Sequence, residues 1–326
     1  MPAVTGVGLG NVTARLSLEQ AASNKRGHAG NMAGSLTAIG NVPLTNAQTP
    51  RYLKDGPGAD VGLLAGYAVL FGDECEMIMG ASVNPVLNVS TVDASTMQAL
   101  RSADNAIRHT KELMPLGAAN QAVDIWRTNA ENVYARRERL LMPDGMSVDA
   151  IMKSGVGNCA EHALVTKAVI TSEPTDRPVM RVRAEGVDHN FVILGDPREL
   201  SEKQVVVADS WVTFPMAHLL SEGQFGVGSI LDQTPPKSQA EALQVSGELK
   251  SILDDKGLRS EAEAHLKKLQ NSGGFFEEHV SVKTIGNAYH EVGGESVRFD
   301  GFPSSWIESR INAIGEFTEW SEKGSD

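Results

Sequence analysis

Between Ser154 and Val212 the chain reads as one helix followed by three short β-runs, and the gaps between those runs limit how they can pair. The runs are Val179–Ala184, His189–Leu194 and Gln204–Val212, rich in Val and Ile and broken by turn residues at Glu185, Gly186, Asp196 and Pro197. A parallel return needs a crossover of a dozen or more residues, and these gaps are shorter. The spacing therefore predicts antiparallel neighbours, with the helix from Cys159 to about Ile170 packed on them through Ala163, Leu164, Ala168 and Val169. The expected class is α+β, with helical flanks.

The same stretch carries the chemistry. Cys159 opens the helix, His189 sits on the second run and Asp209 closes the third. A thiol nucleophile, an imidazole to move protons and a carboxylate to fix the imidazole tautomer are what thiol-based acyl transfer requires. Gly155, Gly157 and Asn158 precede the cysteine. Glycines let the chain turn sharply and let a substrate approach. A helix N-terminus offers unpaired N–H groups and a positive dipole end, which favour an anion. The N–H of Cys159 and the side chain of Asn158 are the candidate oxyanion donors. Trp211, two residues after Asp209, is a candidate to cover the His–Asp pair and to contact substrate.

Each residue alone has a commonplace reading. A lone Cys is a small hydrophobe, a lone His on an apolar strand is a core residue, and Asp209–Ser210 is a turn. Their order on helix, strand and strand favours the chemical reading. His162 is the rival base, but it shares the helix of the nucleophile. Glu161 is expected to complement the helix dipole. No second Cys or His pair completes a tetrahedral site with Cys159 and His162, so neither metal nor cofactor is expected. GVGNCA matches a dinucleotide fingerprint but follows no convincing strand and lacks the acidic partner. His28, His109, His218, His265, His279 and His290 lie on polar stretches and are expected to be solvated.

The flanks say less. Residues 1–58 are rich in small polar residues and read as a flexible leader. Residues 59–145 read as a helical region: an apolar helix within 60–80, one over 92–114 capped by Asp93, and one over 119–142 with Val123, Trp126, Ala130, Val133 and Leu140 on one face. Ser147 caps a short helix, and Gly155–Val156–Gly157 is a loop. Residues 146–235 form the expected catalytic core. Residues 236–326 read as a helical extension, loop-like from Asn271 and ending in an amphipathic helix over 305–320.

The 326 residues carry a net charge of −12 and no basic block, which argues against nucleic acid or an anionic membrane as partner. The two cysteines, Cys75 and Cys159, form no disulfide framework and suit a reducing compartment. The N-terminus lacks the pattern of a signal peptide, so a cytoplasmic site or a signal-peptide-independent export route is expected. No feature sets an oligomeric state.

GNCAEHA, DHNFV and VVVADSW together resemble the core of the transglutaminase-like, papain-type cysteine hydrolases. The resemblance covers about a fifth of the chain. It implies Cys159 as nucleophile, His189 as base and Asp209 as orienting acid, on a papain-like core. Within that superfamily the chain is similar to secreted bacterial effectors of the AvrPphE/HopX group. This implies a leader that directs secretion and a protein substrate in a host cell. The Trp that often follows the cysteine of true transglutaminases is Ala160 here, which favours hydrolysis or deamidation over cross-linking. Trp126, Trp306 and Trp320 are candidates for substrate contact. Two other readings stay open: a protein-binding module on the same fold, and a small-molecule acyltransferase needing a donor such as coenzyme A.

Overall fold

A computed structural model describes residues 89–212, 215–223, 225–243, 256–271, 288–294, 296–298 and 316. The leader, the helix expected within 60–80 with Cys75, the terminal helix over 305–320, and His28, His279, Trp306 and Trp320 lie outside them.

The three β-runs pair as expected. β4 (Val179–Ala184), β5 (Asn190–Leu194) and β6 (Val206–Ala208) are consecutive antiparallel neighbours. The sheet is completed by β7 (His218–Leu219) beside β6 and by β8 (Val227–Thr234) beside β4. Alternation sorts the side chains by face. On β5 and β6, Val192, Leu194, Val206 and Ala208 enter the main core, while Phe191, Ile193 and Val207, with Val205 just ahead of β6, enter a smaller cluster with Met180, Val182 and Leu220. The result is a mixed α/β structure with an antiparallel sheet. Two runs are shorter than the sequence implied. Asn190 rather than His189 opens β5, and β6 ends at Ala208 because Trp211 N donates to Asp209 Oδ1 at 3.2 Å and turns the chain out of the sheet.

Two long helices cover the main-core face. α5 (Cys159–Ser172) packs on β4 and β5, and α1 (Ala94–Leu113) packs on α5 and β6. α1 begins where Asp93 predicts: its side chain accepts from Thr96 N at 2.7 Å. Leu164 and Ala168, expected in the buried face of α5, are only half-buried; Glu161, His162 and Thr166 are buried instead. Polar groups take those positions because they find partners inside, as described below.

The helix expected over 119–142 is two helices, α2 (Ala122–Arg127) and α3 (Glu131–Leu140). Asn129 and Ala130 have φ of 52° and 60°, a left-handed break that apolar spacing does not reveal. Thr128 Oγ1 donates to Asp124 O at 2.8 Å, and Asn132 Nδ2 donates to Ala118 O at 2.8 Å, so polar groups inside hold the break. Ser147 caps α4 (Val148–Ser154), which ends at Gly155 with φ 63°. The expected loop after it holds β3 (Val156–Gly157), paired in parallel with β2 (Gly117–Ala118). Gly157 is required there, since a Cβ would collide with the Glu161 side chain.

The flanks are not purely helical. β1 (Val89–Val92) pairs in parallel with β9 (Ala288–Glu291), which pairs antiparallel with β10 (Ser296–Arg298). The loop-like reading after Asn271 missed these strands, because four residues and three residues are too few for a periodic signal. α6 (Lys256–Asn271) lies in the extension expected to be helical. One main core runs from Val92 through Ile151 and Val206 to Ala262, Tyr289 and Val297, so it crosses the expected boundaries at 145/146 and 235/236. Among the described residues no helix is long and apolar enough to cross a membrane.

Candidate functional site

The site forms where the N-terminus of α5 meets the ends of β5 and β6. Cys159 is the first residue of α5 and is half-buried. Asn158 caps it, and its backbone N–H is held by Glu161 Oε2 at 3.0 Å. His189 Nε2 donates to Asp209 Oδ2 at 2.6 Å, with both residues buried. That bond leaves Nδ1 as the remaining ring nitrogen, and the Cys159 thiol lies close enough to favour charge on the imidazole. The structure thus brings Cys159, His189 and Asp209 together from one helix and two strand ends.

Aromatic rings enclose the imidazole. Trp211 and Phe225 lie with ring centroids 5.0 Å and 4.7 Å from it, and Phe191 stacks on it at 5.8 Å. Burial works against charge on His189, but the Asp209 carboxylate and the Cys159 thiol outweigh it and push the imidazole up to about 10. Burial likewise opposes the charge on Asp209; the His189 ring and the Trp211 N–H hold its carboxyl below the usual range. A protonated His189 and an ionised Asp209 are therefore the paired state at neutral pH.

Trp211 is 4% exposed, so it covers the pair rather than facing open solvent. Its Nε1 donates to Asn120 Oδ1 at 3.1 Å, and its carbonyl accepts from Gln121 Nε2 at 2.8 Å. Sequence reasoning missed Asn120, Gln121 and Phe225, since nothing in their local pattern marks them. The pairing of β2 with β3 is what delivers residues 118–121 to this place.

Glu161 is fully buried beneath the cysteine. It accepts from Arg136 Nε at 2.6 Å and from Arg139 Nη2 at 2.9 Å. Burial opposes its charge, yet the two guanidinium groups and the Asn158 N–H hold its carboxyl below the usual range. Its charge is thus directed at the two arginines of α3 and at the Asn158 N–H that caps α5. The arginines on α3 were unrecognised as partners, because a run of Arg and Glu reads as a solvated face.

His162, the rival base, is buried behind the site. Its Nδ1 lies 3.3 Å from Ser210 Oγ, which bonds Thr166 Oγ1 at 2.8 Å; Thr166 in turn bonds Thr110 Oγ1 at 3.1 Å. Burial and the positive Lys111 push its imidazole down to about 3, so the ring is neutral at neutral pH. His218, expected to be solvated, is buried on β7 with Nδ1 2.7 Å from Met216 O, and burial lowers it too. Both folded values lie below the ordinary one. The stability these rings confer is therefore present above about pH 6.5 and lost as pH falls toward the folded value. Replacing His162 with Gln is expected to flatten the loss of stability between pH 6.5 and pH 4, read as urea midpoints. An unchanged acid slope would show that His162 does not stay neutral.

Among the described residues no group of three or more His, Cys, Asp and Glu side chains is arranged to hold a metal. The chain matches no protein-family model, no curated protein and no solved structure.

Proposed function

We propose that the chain is a thiol-dependent acyl-transfer enzyme acting on amides of proteins, built on a papain-like, transglutaminase-like core. The observation that carries this reading is the 2.6 Å bond from His189 Nε2 to Asp209 Oδ2, with Cys159 as the other neighbour of the ring. Cys159 Sγ attacks the amide carbonyl and forms a tetrahedral adduct. His189 gives its proton to the leaving amine or ammonia, and the C–N bond breaks to leave a thioester. Water then attacks, its proton passes to His189, and the C–S bond breaks to restore the thiolate. Peptide cleavage and glutamine deamidation differ only in which amide enters. The resemblance to bacterial effectors supports a host protein as substrate and a secreted mode of action.

The test is a lysate treated with wild type or with Cys159→Ala, scored by mass spectrometry for new peptide termini, Gln-to-Glu mass shifts and cross-links. Products that vanish in the variant are expected and would name the reaction. Identical profiles, with both proteins folded and capturing the same partner, would replace this reading with a binding module.

A further inference from the structure

We infer that Asn120, on the segment following β2, is the side-chain donor to the oxyanion formed when Cys159 is acylated. This rests on the reading of Cys159 as nucleophile, and it moves the side-chain role away from Asn158.

Three observations place Asn120 there. The first is register. β2 and β3 are parallel, with Gly117 opposite Val156 and Ala118 opposite Gly157. Ala119 N continues the pairing by donating to Gly157 O at 3.3 Å. Both strands end there, and the turn that holds Asn120 leaves β2 beside the point where β3 leads through Asn158 into Cys159. The second is the anchor. Trp211 Nε1 donates to Asn120 Oδ1 at 3.1 Å, while the same indole packs on His189. Cys159 in turn packs against the cluster of Ala118, Trp211 and Val212. The third is exposure. Asn120 is open to solvent although its carbonyl oxygen is pinned, and its Nδ2 donates to no group among the described residues.

An amide whose oxygen is fixed by an indole N–H has its NH2 group fixed too. Because Oδ1 is committed to Trp211, the rest of the amide offers only donors. A donor set in place before the reaction stabilises charge that develops in the transition state and loses nothing to reorganisation. The backbone N–H of Cys159, the first of α5, is the natural second donor. Asn158 is a poorer candidate. It is the cap of α5, and its backbone is tied to Glu161.

The test separates two reactions of one thiol. Alkylation by iodoacetamide is a displacement with no oxyanion. Acylation by p-nitrophenyl acetate passes through a tetrahedral oxyanion and releases nitrophenolate. Both are followed on the full chain, with modification at Cys159 located by peptide mass spectrometry. Asn120→Ala is expected to alkylate at the wild-type rate and to acylate about a hundredfold more slowly. Unchanged acylation in Asn120→Ala would overturn the assignment and leave the nucleophile intact. A parallel fall in both reactions would overturn it as well, by showing a structural role. If wild-type Cys159 reacts no faster than Cys75 with either reagent, the nucleophile itself fails, and the donor with it.

Discussion

Asp209→Asn is expected to slow the proposed Cys159-dependent acyl transfer by roughly ten-thousand-fold while leaving the protein folded at neutral pH. The substitution keeps the shape and an acceptor for the Trp211 N–H, but it removes the charge that overcomes the burial of His189. Without that charge the ring no longer holds its proton to about 10, so the alkaline limit of the reaction should move down toward the ordinary histidine range. Stability should follow the same sign. The folded value of His189 lies above the unfolded one, so its contribution is complete below about pH 6.5 and is lost as pH rises through about 10. The wild type should therefore lose stability from pH 7 to pH 10 more steeply than the variant. Rates and urea midpoints across that range decide the matter. An alkaline limit that stays where it was would show that Asp209 does not set the state of the imidazole.

The second large effect is on folding. Glu161→Ala removes the counter-charge of Arg139, whose side chain is 2% exposed, and of Arg136, which is 28% exposed. Breaking a buried pair from one side leaves a charge without compensation, at a cost of about 3–5 kcal/mol. The cap of α5 loses its reciprocal bond at the same time. That is a large fraction of the stability of an ordinary domain, about 5–15 kcal/mol. Urea unfolding at pH 7 should show a much lower midpoint, with Glu161→Gln falling between. A loss below about 1 kcal/mol would mean that water reaches Arg139 once the carboxylate is gone.

What the sequence discloses here follows the range of the interactions. The α5 helix, the three antiparallel runs and the caps at Asp93 and Ser147 are encoded by neighbours a few residues apart, so periodicity and cap chemistry reveal them. The meeting of Cys159, His189 and Asp209 was also legible, since short connections leave few ways to arrange one helix and three strands. The break at Asn129–Ala130 was not, because it is held by Asn132 reaching the carbonyl of Ala118. Nor was the burial of His218, which sits on a strand of two residues. The Glu161–Arg139 pair and the bond from Trp211 to Asn120 link separate elements, and no local pattern announces either partner. Apolar spacing on α5 pointed to Leu164 and Ala168, yet a polar chain through Thr110, Thr166 and Ser210 occupies the interior instead.

The pairing of Val89 with Ala288 sets a timetable for a newly made chain. β1 is synthesised early, but it has no partner until β9 has been made. Glu222, which accepts from Ser90 Oγ at 2.5 Å and from Tyr289 Oη at 2.6 Å, waits for the same late arrival. Such distant pairings are slow to close, because loop entropy is lost before any contact compensates for it. A chain threaded through a narrow pore or leaving a ribosome N-terminus first would hold its Cys159, His189 and Asp209 in an unfinished shell until the last strands followed. Activity at the proposed site would then report arrival of the whole chain rather than of its central third.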